Sequence, residues 1–375
     1  MILLSIFTTL IYLVLIGSFI IGFNKIKLFS IKNIPEETTF SIIIPFRNEA
    51  QNLPFLLQSI TKLKYATTFF EIIFVDDDSS DASVSIINKW AQKNTFINIS
   101  IIKNIRHSNS PKKDAITLAI NHANKDWILT TDADCHLPPH WLNSFNQYIK
   151  KTNALCIAAP VTYNPTNTFL NRFQLLDFFS LQGATIGGFG IKKPFLCNGA
   201  NFGYKKDLFL ELNGFSGNNN IASGDDIFLL EKVLKHHPKQ LHYLKSKHAI
   251  VTTNSQETIK KLVSQRLRWA SKTSHYNNVF GKLAGLIVLL INAFIVITTI
   301  VVFLNSIHIK TLLYMLFIKA SIDVLLIYKT AVFFNQKKVL KSYVLALIIY
   351  PFFSTYIAFI STFKSYKWKD RAFKK

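Results

Sequence analysis

Apolar residues concentrate at the two ends of the chain and leave a mixed, soluble-looking middle. Residues 1–22 carry no charge and are followed at once by Lys25 and Lys27, a run long enough for the roughly 20 residues that span a bilayer. It has no basic leading segment and no small-residue cleavage site, so it reads as an uncleaved anchor rather than a signal peptide, with its lysine side in the cytoplasm. A second span is expected over 283–304, which holds Asn292, Thr298 and Thr299 but no charge. A third, 312–334, contains Lys319, Asp323 and Lys329; Lys319 and Asp323 stand four apart and can pair on one helix face inside a bundle. A fourth, 343–363, is interrupted by Pro351. Lys337, Lys338 and Lys341 before it and the basic tail 364–375 after it both ask for the cytoplasm, so this segment either crosses or turns back at Pro351, giving three or four spans. Residues 169–183 (FLNRFQLLDFFSLQG) are too short and polar to span; they suit a helix lying in the interface or one packed on the soluble core.

In the middle, short apolar runs at 40–45 (FSIIIP), 69–75 (FFEIIFV), 97–102 and 127–131 (WILTT) alternate with helix-like stretches, the first over 48–63. That alternation predicts an α/β fold with a mostly parallel sheet and a ligand site at the carboxyl ends of its strands. Polar motifs fall where those ends should be: Arg47-Asn48-Glu49, then Asp76-Asp77-Asp78-Ser79-Ser80-Asp81, then Asp132-Ala133-Asp134. Carboxylates gathered there repel one another unless a cation or hydrogen-bond donors balance them, as a divalent metal bridging a diphosphate would. A lone Asp-x-Asp is ordinarily a solvated turn; after an apolar strand, with two partner motifs, the metal reading is preferred.

Charge and cysteine usage narrow the classes. A net charge of +22 would suit nucleic acid, but no recognition motif accompanies it and many Lys and Arg residues flank the apolar segments, so membrane lipid is the expected partner and nucleic acid is not. Cys135, Cys156 and Cys197 are odd in number and far apart, which suits reduced core thiols rather than a disulfide framework or a zinc site. Gly187, Gly188 and Gly190 (GGFG) lack the strand-turn-helix context of a phosphate loop and read as a flexible loop near an acceptor.

Over roughly 40–271 the motifs run in order SIIIPFRNEAQNL, IIFVDDDSSD, PKKDAITLAI, TTDADC, CNGANFGYKKDLFLELNGF, GDDIFLL and QRLRW. This series resembles the family 2 glycosyltransferases, whose fold is GT-A, that of nucleotide-diphospho-sugar transferases. The resemblance implies that Glu49 and Asp77, with Asp76 and Asp78 adjacent, hold the nucleoside and that Lys112 lies near the donor. It implies that Asp132 and Asp134 are the DxD pair of a Mg or Mn site, with Asp134 the more direct ligand. Asp226 matches the general base of an inverting transfer, while Asp225, on the acceptor side, stands where the family has glutamate. A capping role competes for Asp226, because Gly224-Asp225-Asp226 also opens a helix-like run over 227–234. Gln265, Arg268 and Trp269 fit the QxxRW signature, and their spacing puts them on one helix face. Arg268 suits donor phosphate oxygens, and Gln265 and Trp269 suit the acceptor, although an interfacial tryptophan anchor is also open.

The expected organisation is therefore an anchor over 1–24, a cytoplasmic catalytic domain over 38–275, membrane or interfacial helices over 281–364 and a basic tail over 365–375. The expected activity is sugar transfer from a UDP- or GDP-sugar to a lipid-linked or glycan acceptor at an inner membrane, as a single transfer, with processive polysaccharide synthesis as the alternative. A membrane-anchored nucleotidyltransferase or a non-catalytic binding module are alternatives of another class; neither calls for QxxRW beside a membrane span.

Overall fold

The computed structural model describes every residue except 1, 33–34, 307, 364–365, 369–370 and 374–375, and only the backbone of residues 2, 274, 366–368 and 371–373. The chain opens with α1 (Ile2–Lys25) and enters an alternating stretch: β1 (Phe40–Phe46), α2 (Leu53–Thr61), β2 (Phe70–Asp76), α3 (Ser83–Lys93), β3 (Asn98–Lys103), α4 (Pro111–His122) and β4 (Trp127–Thr130). It continues through α5 (Trp141–Lys151), β5 (Cys156–Ala158), β6 (Val161–Tyr163), the long α6 (Phe169–Gly190), β7 (Phe202–Lys205), α7 (Lys206–Glu211), α8 (Asp225–His236), β8 (Leu241–Tyr243) and β9 (Val251–Thr253). It closes with α9 (Ile259–Ser271), α10 (Val279–Phe303), α11 (Ile309–Phe333), α12 (Tyr343–Phe363) and the short antiparallel pair β10 (Tyr366–Trp368) and β11 (Arg371–Phe373). The side chains of the basic tail expected over 365–375 lie outside the described residues.

These elements form two units. One comprises Lys27–Asn164 and Cys197–Asn254 and is built on a seven-stranded sheet of order β3-β2-β1-β4-β7-β5-β8. The expected mostly parallel α/β sheet is present, with its central strands buried on both faces, as continuous apolar runs require. The departure is β7, which runs antiparallel between β4 and β5. Its FGYK carries a glycine and no apolar run, because Gly203 admits the Leu129 and Phe145 side chains where a Cβ would stand only 2.7 to 2.8 Å away. Pro45 in the central β1 is tolerated for a local reason. Pairing with β4 stops at Ile43 and Thr130, so the missing N–H falls beyond the ladder.

The second unit comprises Met1–Ile26, Pro165–Leu196 and Ser255–Lys375. Four of its helical segments are long and apolar enough to cross a membrane: Leu3–Lys25, Val279–Phe303, Ile309–Phe333 and Lys337–Phe363. Of the two readings of this segment, the turn back at Pro351 is absent. α12 continues through it, since a proline inside a helix removes one N–H and neighbouring helices can supply the rest of the support. Lys319 and Asp323 do pair on α11, and Tyr12 of α1 donates to Asp323 at 2.5 Å.

Two further expectations change in this unit. Residues 169–183 belong to a helix of 22 residues, α6, most of whose side chains are buried. The GGFG segment is the last part of that helix and not a flexible loop. Its glycines serve helix contact: a Cβ on Gly187 would stand 2.5 Å from the Phe19 carbonyl oxygen, and one on Gly190 would stand 1.9 Å from that of Gly22. Small residues that let backbones approach are the usual means of joining helices in lipid. Gly187→Val should therefore lower the thermal unfolding temperature of the detergent-solubilised protein by several degrees, a loss of about 2 kcal/mol or more from overpacking. Gly17→Ala, on α1 with open space around it, should not; equal shifts for both would refute the close-contact account.

Candidate active site

The carboxyl ends of β1 and β2 meet in a tied pair of loops. Asp77 donates its N–H to the Phe46 carbonyl at 2.9 Å, and Arg47 Nη1 reaches back to the Asp77 and Asp78 carbonyls, both at 2.7 Å. Asn48 and Asp78 take positive φ, +50° and +67°, conformations that Asn and Asp adopt more readily than other residues with a Cβ. Arg106 Nε binds Asp77 Oδ1 at 2.8 Å, and Asn104 Nδ2 binds the same oxygen at 2.9 Å. The Arg47 hydrogen bond, with Arg106 close by, holds the exposed Asp78 carboxyl below its ordinary range. Glu49 is buried; its N–H donates to Ser83 Oγ at 2.8 Å and its Oε2 accepts from Asn52 at 2.6 Å. The acidic cluster 76–78 is thus balanced by the chain's own arginines.

A second cluster joins segments far apart in sequence. Lys112, in the first turn of α4, places Nζ 2.7 Å from Asp132 Oδ1 and 3.3 Å from Asp225 Oδ2. Burial by itself would lower the Lys112 ammonium, but the carboxylates of Asp132, Asp225 and Asp226 outweigh it and hold the group above its ordinary value. α8 begins after Gly224, whose φ of +87° suits only glycine, and this brings Asp225 and Asp226 into its first turn. Asp226 accepts from the Gly199 N–H at 3.1 Å and from the Ile227 N–H at 2.8 Å. Gly199 itself sits in the cluster: a Cβ there would lie 2.9 Å from Asp225 Oδ2 and 3.6 Å from Lys112 Nζ. The next residue, Lys113, is buried, lies 4.6 Å over the Phe228 ring and donates to the Asn218 and Ile221 carbonyls, tying down the loop that leads into α8.

Asp134 follows on the turn after β4. Its Oδ2 accepts from Thr253 Oγ1 at 3.1 Å, and the turn is joined to β9 by bonds of 2.7 and 3.1 Å between the His136 and Thr252 backbones. Cys135 beside it is buried, which together with Asp134 and Asp132 raises its thiol; Cys156 is buried, Cys197 is partly exposed, and none of the three forms a disulfide. Among the described residues no three His, Cys, Asp or Glu side chains gather as a metal site.

Of the expected site residues, Lys112, Asp132, Asp225 and Asp226 come together in one cluster, Asp134 stands on the adjoining turn, and Glu49 and Asp77 occupy the tied loops of β1 and β2. Gln265, Arg268 and Trp269 lie on α9, in the helical unit. Sequence reasoning missed Arg106, Gly199 and Thr253. Arg106 had a signal, being the basic residue that follows the third strand end; the other two act through backbone closeness and one hydroxyl, which no spacing announces.

Residues 41–212 match the model of Glycosyl transferase family 2, and residues 127–359 match that of Glycosyl transferase family group 2. The chain is 38% identical over 100 residues to the undecaprenyl-phosphate 4-deoxy-4-formamido-L-arabinose transferase of Photorhabdus laumondii, covering 26% of this chain and 30% of that one. It is 27% identical over 244 residues to the probable glycosyltransferase YdaM of Bacillus subtilis, covering 64% and 56%. The matches therefore span less than two thirds of these relatives. Among solved structures, the mannosyltransferase PcManGT from Pyrobaculum calidifontis, in complex with GDP-Man and Mn2+, superposes with a TM-score of 0.56 at 15% identity, covering 93% of this chain and 95% of that one. That likeness is one of fold, the GT-A fold.

The crowding at Gly199 yields a prediction. The atom nearest an added Cβ is the end of the Asp225 side chain, which can swing away at little cost but must then leave Lys112. Gly199→Ala should keep the unfolding temperature within about 2 °C while turnover falls about tenfold or more through misplacement of the cluster. Unchanged turnover would show that the Lys112 cluster is not at the reacting centre.

Proposed function

We propose, from the premise that this chain belongs to Glycosyl transferase family group 2 and is a glycosyltransferase, that it moves a sugar with inversion from a UDP- or GDP-sugar to a lipid-linked acceptor. The observation that carries the reading is the convergence on Lys112 Nζ of Asp132, Asp225 and, through Gly199, Asp226. Three motifs from distant parts of the chain meet there in one charged cluster at strand ends, where α/β folds bind ligands.

Within that reading, in the sheet unit, Glu49 and Asp77 hold the nucleoside and Lys112 and Asp132 serve the donor phosphates; Arg268 of the helical unit is assigned to the donor by its motif alone. The DxD oxygens suit a hard ion: Asp134, oriented by Thr253, and Asp132 offer carboxylate ligands and no His or Cys, so Mg or Mn fits and zinc does not. Asp134 and Asp132 would hold the ion, which would supply charge neutralisation for the departing diphosphate. The acceptor oxygen attacks the anomeric carbon from the face opposite the diphosphate, the bond to the diphosphate breaks, and the acceptor proton passes to Asp226. Asp226 is held for this by the Gly199 and Ile227 N–H groups; the Ile227 bond also satisfies a donor in the first turn of α8, so a base and a capping acceptor are compatible in one side chain. Asp225 of the sheet unit, and Gln265 and Trp269 of the helical unit, are assigned to the acceptor by their motifs.

The lipid-linked acceptor is supported by the relatives named for undecaprenyl phosphate and by four helices of spanning length and composition. Single transfer is preferred to processive synthesis, because the interior between α1 and α11 is filled by the Tyr12, Lys319 and Asp323 cluster. Lys25 and Lys27 after the first span argue for a multi-pass protein of the inner membrane with its sheet unit in the cytoplasm, the side of nucleotide-sugar supply.

Asp226→Asn should reduce transfer about 100- to 10,000-fold while calorimetry finds nucleotide affinity nearly unchanged. With a phosphate acceptor the deficit should shrink as pH rises past about 6, where the phosphate gives up its own proton; with an alcohol acceptor it should persist. Transfer near the wild-type rate at all pH values would sink the base assignment. Independently, excess chelator should abolish transfer and Mg or Mn restore it; full activity in chelator would exclude the metal role.

A further inference from the structure

Between the two ends of the QxxRW signature lies a residue the signature leaves open. Arg266 is 7% exposed, and Asp177 of α6, its partner, is also 7% exposed. Nε and Nη2 of Arg266 stand 2.8 and 2.6 Å from Asp177 Oδ2. Nη1 donates to Gln265 Oε1 at 2.8 Å, and the guanidinium carbon lies 4.2 Å over the centre of the Trp269 ring. The Trp269 ring lies 6.4 Å from that of Phe178, the residue after Asp177, and Asp177 also receives a hydrogen bond from Tyr350 of α12. One guanidinium thus touches both side chains assigned to the acceptor, and it is held by one carboxylate.

A buried ion pair adds little to stability, since the cost of desolvating two charges offsets their attraction, and an apolar pair of similar volume would pack as well. Its presence is accounted for by geometry. A guanidinium is planar, and only its fixed fork can bond a carboxylate along one edge, a neighbouring amide from another nitrogen and an aromatic ring across its face. Lysine can do one of these at a time. With Asp177 fixed on the buried α6, the orientations of Gln265 and Trp269 follow from that of Arg266.

We propose that Asp177 and Arg266 are positioning residues that set the Gln265 amide and the Trp269 ring for acceptor binding. This rests on the reading of Gln265 and Trp269 as acceptor residues, and the test separates the two. The full-length protein in detergent is assayed with undecaprenyl phosphate as the acceptor probe and the nucleotide sugar that supports its turnover, for Asp177→Asn, Arg266→Lys, Trp269→Ala and the Asp177→Asn/Trp269→Ala pair. Each single change should raise acceptor KM about tenfold or more and leave donor KM within about twofold, the scale of an unperturbed site. The double variant should be no worse than Trp269→Ala alone, because residues acting through one another are non-additive. If the effects multiply instead, or donor KM rises equally, the pair is only a helix clamp and the inference falls. If Trp269→Ala leaves acceptor KM unchanged, or the wild type does not turn over undecaprenyl phosphate, the acceptor reading falls and takes the inference with it. Should Asp177→Asn not fold, Arg266→Lys, which keeps the charge and loses the fork, carries the same comparison through its own double variant with Trp269→Ala.

Discussion

Carboxylates brought together at the carboxyl ends of parallel strands must be balanced, and the sheet unit is arranged around that constraint. Each strand end delivers acids to the same edge: Asp76 to Asp78 after β2, Asp132 and Asp134 after β4. Without partners they would repel, and the chain supplies cations from three different places, Arg47 from the β1 loop, Arg106 from beyond β3 and Lys112 from the start of α4. These bonds also fix backbone. Arg47 draws the Asp77 and Asp78 carbonyls toward it, and in that tight turn Asn48 and Asp78 sit in the left-handed region, a strain commonly found at functional sites.

The balance at Lys112 has a different character from that at the arginines. Asp77 and Asp78 have both arginines beside them, which tie the two loops through backbone and side chain alike. Lys112 is shared between Asp132 and Asp225 and carries a compact charge on a flexible stem, so the two carboxylates, not a fixed fork, set its position. Gly199 keeps this centre open enough to form, and Lys113, turned the other way, secures the loop that delivers Asp225 and Asp226. Adjacent lysines thus divide two tasks, charge balance and loop anchoring, between the two sides of one helix turn.

In the helical unit the same rule works with fewer alternatives. Lys319 with Asp323 and Tyr12, and Arg266 with Asp177, are buried charges that occur with their partners in contact, as a low-dielectric surrounding demands. Close approach of α1 and α6 comes from glycines whose missing Cβ lets the backbones meet, rather than from apolar bulk.

The four parallel strands, the polar motifs at their ends and the helices long and apolar enough to cross a membrane were legible in the sequence because each is local: a strand buried on both faces must be apolar, and a helix of spanning length shows as a long, mostly apolar run. Boundaries moved by a residue or so, as with β2 at Phe70–Asp76 against the expected 69–75. Lys112, Asp132, Asp134, Asp225 and Asp226 were legible as candidates through motif and resemblance, but which of them touch was not. Tertiary structure alone decided that Lys112 lies between Asp132 and Asp225, that Arg106 turns to Asp77, that β7 runs against its neighbours and that Arg266 grips Gln265 and Trp269. It also turned GGFG from a presumed loop into a helix contact and carried α12 straight through Pro351. In each case the deciding partner is distant in sequence, and composition and periodicity describe what a segment can bury without saying against which backbone or charge it will be buried.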